Sequence, residues 1–98
     1  MAGNNISFAL GLAQKAGKAA SGDFAVRAAL KSGQVQLLLV AADAAPNSKK
    51  DMHYLAEVME VPVLEALTRA ELGHAIGKAQ RTAVAILDSN FANMLLKK

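Results

Sequence analysis

Apolar residues recur at helical spacing near the start of the chain. Ile6, Ala9, Leu10 and Ala13 share one helical face, with Asn5 before them as a candidate N-cap and Gly17 after them as the stop. A second helix is predicted over residues 23–32, with Val26, Ala29 and Leu30 inward and Gly33 ending it. Residues 35–41 are too short and too apolar for a surface element, and predict a strand buried on both faces. Residues 43–47 form the turn at its end. Ser48 and Asp51 have capping-box spacing, and Met52, Leu55, Ala56 and Met59 give the next helix one apolar stripe. Residues 61–64 predict a short strand in which Pro62 lacks a donor. Thr68 and Glu71 signal a fourth helix through a second capping box, with Leu67 and Leu72 at staple positions and Gly77 as the stop. Residues 82–87 predict another buried strand, and Phe91, Met94 and Leu95 a last short helix behind Asp88 or Ser89. Helices alternating with buried strands predict a three-layer α/β/α sandwich with a small mixed sheet, as one domain over residues 1–98.

Composition narrows what such a sandwich can do. Hydrophobic residues make up 53% of the chain, but 21 of them are alanine, which favours closely spaced backbones over a large internal cavity. No apolar run approaches the roughly 20 residues of a membrane span, and residues 1–7 do not form a charged leader. The absence of cysteine removes disulfides, thiolate chemistry and cysteine metal sites. The expectation is a soluble, cytoplasmic protein with no membrane partner.

The net charge of +3 is unevenly distributed. Lys15, Lys18, Arg27, Lys31, Lys49 and Lys50 face only Asp23 and Asp43 in residues 15–50, whereas residues 51–77 set Arg69 against five carboxylates. Residues 78–98 are basic again through Lys78, Arg81, Lys97 and Lys98. Two readings stand: a basic side facing nucleic acid, or ordinary solvated charge.

The segment Ala16-Gly17-Lys18-Ala19-Ala20-Ser21-Gly22-Asp23 delivers a glycine-containing loop to a helix start. Unpaired N–H groups and the positive dipole end favour phosphate or another anion there. It is not a nucleotide-hydrolysing loop: five residues separate Gly11 from Gly17, Ala19 replaces the magnesium-binding hydroxyl, and a helix precedes it. His53 and His74 lie on different predicted helices without a second histidine at metal-ligand spacing, so neither metal nor cofactor is expected. Asp43 follows a strand, as catalytic carboxylates often do, or caps a turn with its side chain. With no nucleophile or acid–base pair to assemble around it, the chain does not read as an enzyme. Gly77-Lys78-Ala79-Gln80-Arg81 is a polar connection in which Gln80 can read a base edge and Arg81 can bind phosphate or stack on a base. A solvated connection is the alternative.

Gly22 opening a helix, Lys31-Ser32-Gly33 ending it, the run from Val35 into Asp43, Val61-Pro62-Val63 and Leu72-Gly73-His74-Ala75-Ile76-Gly77 occur in a characteristic order. In that order the chain resembles the ribosomal family L-seven-Ae/L-thirty-e, in particular its short bacterial ribosomal-protein-like members. The resemblance implies a non-enzymatic α/β/α sandwich that binds kink-turns, sharply bent RNA internal loops with sheared G·A pairs. The family's RNA-reading segment Gly-Thr-Asn-Glu corresponds to Gly22, Asp23, Phe24 and Ala25. Gly22 is retained, whereas Phe24 and Ala25 replace the guanine-reading Asn and Glu. The family's basic residue three positions on corresponds to Ala28, with Arg27 and Lys31 as displaced substitutes. Its opposing, usually apolar loop corresponds to Lys78-Ala79-Gln80-Arg81.

The resemblance thus implies non-catalytic binding of structured RNA, with kink-turn-like and ribosomal RNA as candidates. Lys18, Gly22, Asp23, Phe24, Arg27, Lys31, Lys78, Gln80 and Arg81 form the expected site. Phe24 and Gln80 are the expected base contacts; burial at the helix start is the alternative for Phe24. The Gly22 loop and the loop at residues 78–81 are expected to be neighbours at one end of the sandwich. A second hypothesis, favoured by the missing Asn and Glu, is a protein-interaction module that keeps the fold without specific RNA affinity.

Overall fold

The computed structural model describes residues 2–96. Met1 and the charges of Lys97 and Lys98, included in the expectations above, lie outside the described residues. Its elements in chain order are α1 (Ala2–Lys15), β1 (Ala19–Ser21), α2 (Asp23–Ser32), β2 (Leu37–Val40), α3 (Pro46–Val58), β3 (Val63–Glu65), α4 (Arg69–Ala75), β4 (Ala83–Ile86) and α5 (Ser89–Leu96).

The two uncharged runs form the centre of the sheet. Every residue of β2 and β4 is buried, and the two strands pair antiparallel from Leu37 opposite Ile86 to Val40 opposite Ala83. The strand order is β1-β4-β2-β3, with β1 antiparallel to β4 and β3 parallel to β2. α2 and α3 pack together on one face; α1, α4 and α5 pack on the other. This is the expected three-layer sandwich with a small mixed sheet. Leu10, Leu30, Leu37, Leu38, Leu39, Met52, Leu72 and Ile86 fill its interior, and burying such side chains stabilises the fold by about 1.5–3 kcal/mol each. Ala13, Ala41, Ala56 and Ala85 are fully buried beside them, so the layers approach closely as the alanine content predicts.

Local signals were followed where they agreed with the packing. Thr68 Oγ1 accepts the Glu71 N–H at 3.1 Å and Glu71 Oε1 accepts the Thr68 N–H at 2.8 Å, closing the predicted box at the start of α4. Gly33 caps α2 in the left-handed conformation. Asp88 Oδ1 accepts the N–H groups of Asn90 and Phe91, which makes Asp88 the cap of α5. Within that helix Leu95 is buried, but Met94 faces solvent.

Other expectations are corrected. α1 begins at Ala2, so Asn5 is an interior residue and not its cap. α3 begins at Pro46, whose fixed φ suits the first helical turn, and residues 46 and 47 therefore belong to the helix rather than to the preceding turn. Ser48 and Asp51 form no capping box: the cap is Ala45, without a side-chain hydrogen bond. β3 starts two residues later than the pattern implies, although the Pro62 carbonyl already accepts the Leu38 N–H at 3.0 Å. β1 was not expected at all. Its Ala-Ala-Ser sequence has little intrinsic strand preference, and it is extended because β4 supplies the pairing.

Candidate nucleic-acid interface

β1 sets the geometry of this end of the molecule. Ser21 lies opposite Val84, so Gly22, which follows Ser21, emerges beside the chain entering β4. The start of α2 and the loop at residues 78–81 are therefore neighbours, as expected. Arg81 bridges them: its Nε donates to Ser21 Oγ at 3.4 Å, and its Nη1 donates to the carbonyls of Gln80 at 2.9 Å and Ala79 at 3.3 Å. A cleft of about 200 Å³ opens between Gly22 and Asp23 on one side and Gln80 and Arg81 on the other. Ser48 and Met52 of α3 form its third wall. Neither of these α3 residues was a site candidate, because only the packing of α3 beside α2 brings them here.

Gly22 is the N-cap of α2 with φ 93° and ψ 146°, a conformation that residues with a Cβ rarely adopt. A Cβ there would meet nothing within 4 Å, so backbone strain and not crowding selects glycine. No side chain caps α2, which leaves first-turn N–H donors of the helix for an incoming acceptor. Gly22→Ala is expected to destabilise the protein by about 1–2 kcal/mol through this strain. Denaturant unfolding measures it, and an unchanged midpoint would count against the strained cap.

The facing loop is fixed by a close approach. Gly73 is buried in α4, its carbonyl accepts the Lys78 N–H at 2.8 Å, and an added Cβ would lie 1.9 Å from the Ala79 carbonyl oxygen. Glycine at this position lets the loop lie directly on the helix.

The expected charged residues separate into groups. Arg27 is not a free cation: its Nε donates to Asp23 Oδ2 at 2.9 Å and its Nη2 to Asp51 Oδ2 at 3.5 Å, tying α2 to α3. The hydrogen bond that Arg27 donates to Asp23, with help from Asp51, raises the guanidinium pKa above its ordinary value. Asp23 and Arg27 thus largely neutralise each other. Lys78 and Gln80 are exposed, and Arg81 is half-buried with no carboxylate partner among the described residues. Phe24 is 86% exposed, so the buried alternative does not hold. Lys18 and Lys31 are not part of this end. The Lys18 carbonyl accepts the Leu87 N–H beyond the other end of β1, and Lys31 sits in the last turn of α2, about 12 Å along the helix axis from Asp23.

Asp43, Lys49, His53 and Glu65 make contacts that tie elements together. Asp43 Oδ1 accepts the Arg69 N–H at 2.8 Å, fastening the turn after β2 to the start of α4. His53 Nε2 lies 2.6 Å from Glu65 Oε2, and Lys49 Nζ lies 3.4 Å from Glu65 Oε1. The hydrogen bond with His53, reinforced by Lys49, holds the Glu65 carboxyl below its ordinary pKa. Among the described residues no group of three histidines or carboxylates is placed to hold a metal, and no helix is long and apolar enough to cross a membrane.

Fold and loop order together define a class, the small sandwich whose α2 start faces the loop before its last central strand. The chain belongs to the ribosomal protein L7Ae/L30e/S12e/Gadd45 family, whose model matches residues 4–96. It is 37% identical over 87 residues to the RNA-binding protein YlxQ of Bacillus subtilis, covering 89% of this chain and 87% of that one. It is 33% identical over 95 residues to the large ribosomal subunit protein eL30B of Schizosaccharomyces pombe, covering 95% and 81%. A solved structure of a protein with unknown function from Bacillus halodurans C superposes with a TM-score of 0.86 at 33% identity, covering 93% of this chain and 91% of that one. The family and these named relatives are RNA-binding or ribosomal proteins, a non-enzymatic class.

Proposed function

We propose that this protein binds structured RNA at the end where the start of α2 meets the loop at residues 78–81. The observation that carries the reading is the convergence of an uncapped helix start and a guanidinium without a carboxylate partner on one cleft. Gly22 and the first turn of α2 receive the RNA backbone. Arg81 and Lys78 supply positive charge, and Gln80 and Phe24 meet bases. Arg81 is held by Ser21 and two loop carbonyls, so it presents its charge with little freedom to lose on binding. The names of the relatives, an RNA-binding protein and a ribosomal subunit protein, support RNA as the partner. A sharply bent, kink-turn-like element is the proposed shape of the RNA, ribosomal RNA its proposed source, and the cytoplasm its proposed setting.

Arg81→Ala and Lys78→Ala are each expected to weaken binding across RNA sequences. Each is also expected to flatten the dependence of log K on log salt by about one unit or less, because a lost phosphate contact releases fewer counterions. Titration of a kink-turn hairpin at several salt concentrations measures both effects. Unchanged affinity and slope in both variants would instead favour a protein-interaction module that retains the fold.

A further inference from the structure

Three of the nine lysines and arginines among the described residues pair with carboxylates: Arg27, Lys49 and Arg69. Lys50, Lys78 and Arg81 do not, and they follow the starts of α3 and the cleft loop. The other three, Lys15, Lys18 and Lys31, are exposed, and the topology gathers them at the opposite end of the sheet. Residues 86 and 87 of the chain fix this placement. The Leu87 N–H donates to the Lys18 carbonyl at 2.8 Å, while the Ile86 carbonyl accepts the Gln36 N–H at 2.7 Å. Lys15 ends α1 on one face of the sheet, Lys18 leads into β1 at its edge, and Lys31 ends α2 on the other face. Exposed Gln34 and Gln36 follow Lys31.

We infer that this end is a second anion-binding surface, and that its occupant is a second stretch of RNA backbone, so that the protein is held between two RNA segments. The inference rests on the RNA-binding reading above. Lys15 and Lys31 also sit where a cation offsets a helix dipole, but Lys18 lies beyond the turn at Gly17 and outside any helix. Among the described residues no carboxylate forms an ion pair with any of these three lysines. The Asp88 carboxylate accepts two N–H groups of α5, and Glu57 and Glu60 lie at the end of α3 beside β3, the strand farthest from β1. Exposed lysines beside exposed glutamines, whose amides can donate hydrogen bonds, suit sequence-independent phosphate contact.

The test saturates the full chain with a kink-turn hairpin, then adds a short duplex RNA without an internal loop, and follows backbone amide NMR signals. The duplex is expected to shift residues 15–18 and 31–36 and to leave residues 22 and 78–81 unmoved. With three phosphate contacts, its affinity should fall about 40-fold between 50 and 200 mM salt. The triple variant Lys15→Gln, Lys18→Gln, Lys31→Gln should lose this second event while its spectrum stays folded, and Arg81→Ala should keep it. Absence of the shifts in the wild type, or duplex binding by the triple variant equal to the wild type, overturns the inference. A hairpin that fails to shift residues 22 and 78–81 overturns the reading of the first end instead, and the duplex titration then reads the second end by itself.

Discussion

Gly73→Ala is expected to destabilise the protein by about 3 kcal/mol and to lower RNA affinity in the fraction that remains folded. The added Cβ would lie 1.9 Å from the Ala79 carbonyl oxygen, 2.6 Å from its carbonyl carbon and 3.0 Å from the Lys78 carbonyl oxygen. These are backbone atoms, so no rotamer change relieves the clash. The loop at residues 78–81 must lift off α4, losing the 2.8 Å bond from the Lys78 N–H to the Gly73 carbonyl. Arg81 moves with it, because two of its guanidinium bonds are to carbonyls of that loop. Gly22→Ala makes a useful contrast. It strains one backbone position in open space and leaves the facing loop where it is. Urea unfolding and hairpin titration on both variants separate the two effects. Native-like stability together with unchanged affinity for Gly73→Ala would mean that the loop does not rest on this glycine.

The elements legible in the sequence are those whose local chemistry and tertiary packing agree. α2 matches its predicted span of residues 23–32, because the glycines at both ends and the stripe of Val26, Ala29 and Leu30 specify one helix. α4 is a short helix announced by a capping box that forms as read. At the start of α3 two local signals competed, and Pro46 prevailed over Ser48 because a proline at the first turn starts the helix before the serine is reached. β1 carried no local signal, since strand pairing alone makes Ala19–Ser21 extended.

That same strand decides which expected site residues come together. Reading residues 16–23 as one loop places Lys18 beside Gly22, but three strand residues between them send the lysine to the other end of the sheet. Its position in α2 presents Arg27 as available charge in the sequence. Asp51, 24 residues away in sequence, could not be matched to it before the packing of α2 on α3 was known. The neighbourhood of Gly22 and Arg81, by contrast, followed from the family order of elements and is realised through the pairing of β1 with β4.

Phe24→Asn combined with Ala25→Glu is expected to raise discrimination between a standard kink-turn and one whose sheared G·A pairs are replaced, by about 1–3 kcal/mol. In the resemblance to the family these two positions carry the guanine-reading Asn and Glu. Here they hold groups that offer no side-chain hydrogen bond, so the wild type should separate the two RNAs poorly. Both residues are exposed in the first turn of α2, Phe24 at 86%, and their replacement removes no core packing. A glutamate in the first turn also interacts favourably with the helix dipole, so the variant should fold. Its added negative charge will lower affinity for both RNAs through long-range repulsion. The ratio of the two affinities at fixed salt is therefore the quantity to measure, with folding checked by circular dichroism. Strong discrimination by the wild type would place guanine reading on other residues. An unchanged ratio in the folded variant would mean that these positions do not face the G·A pairs, and that the α2 start meets RNA through its backbone and Phe24 alone.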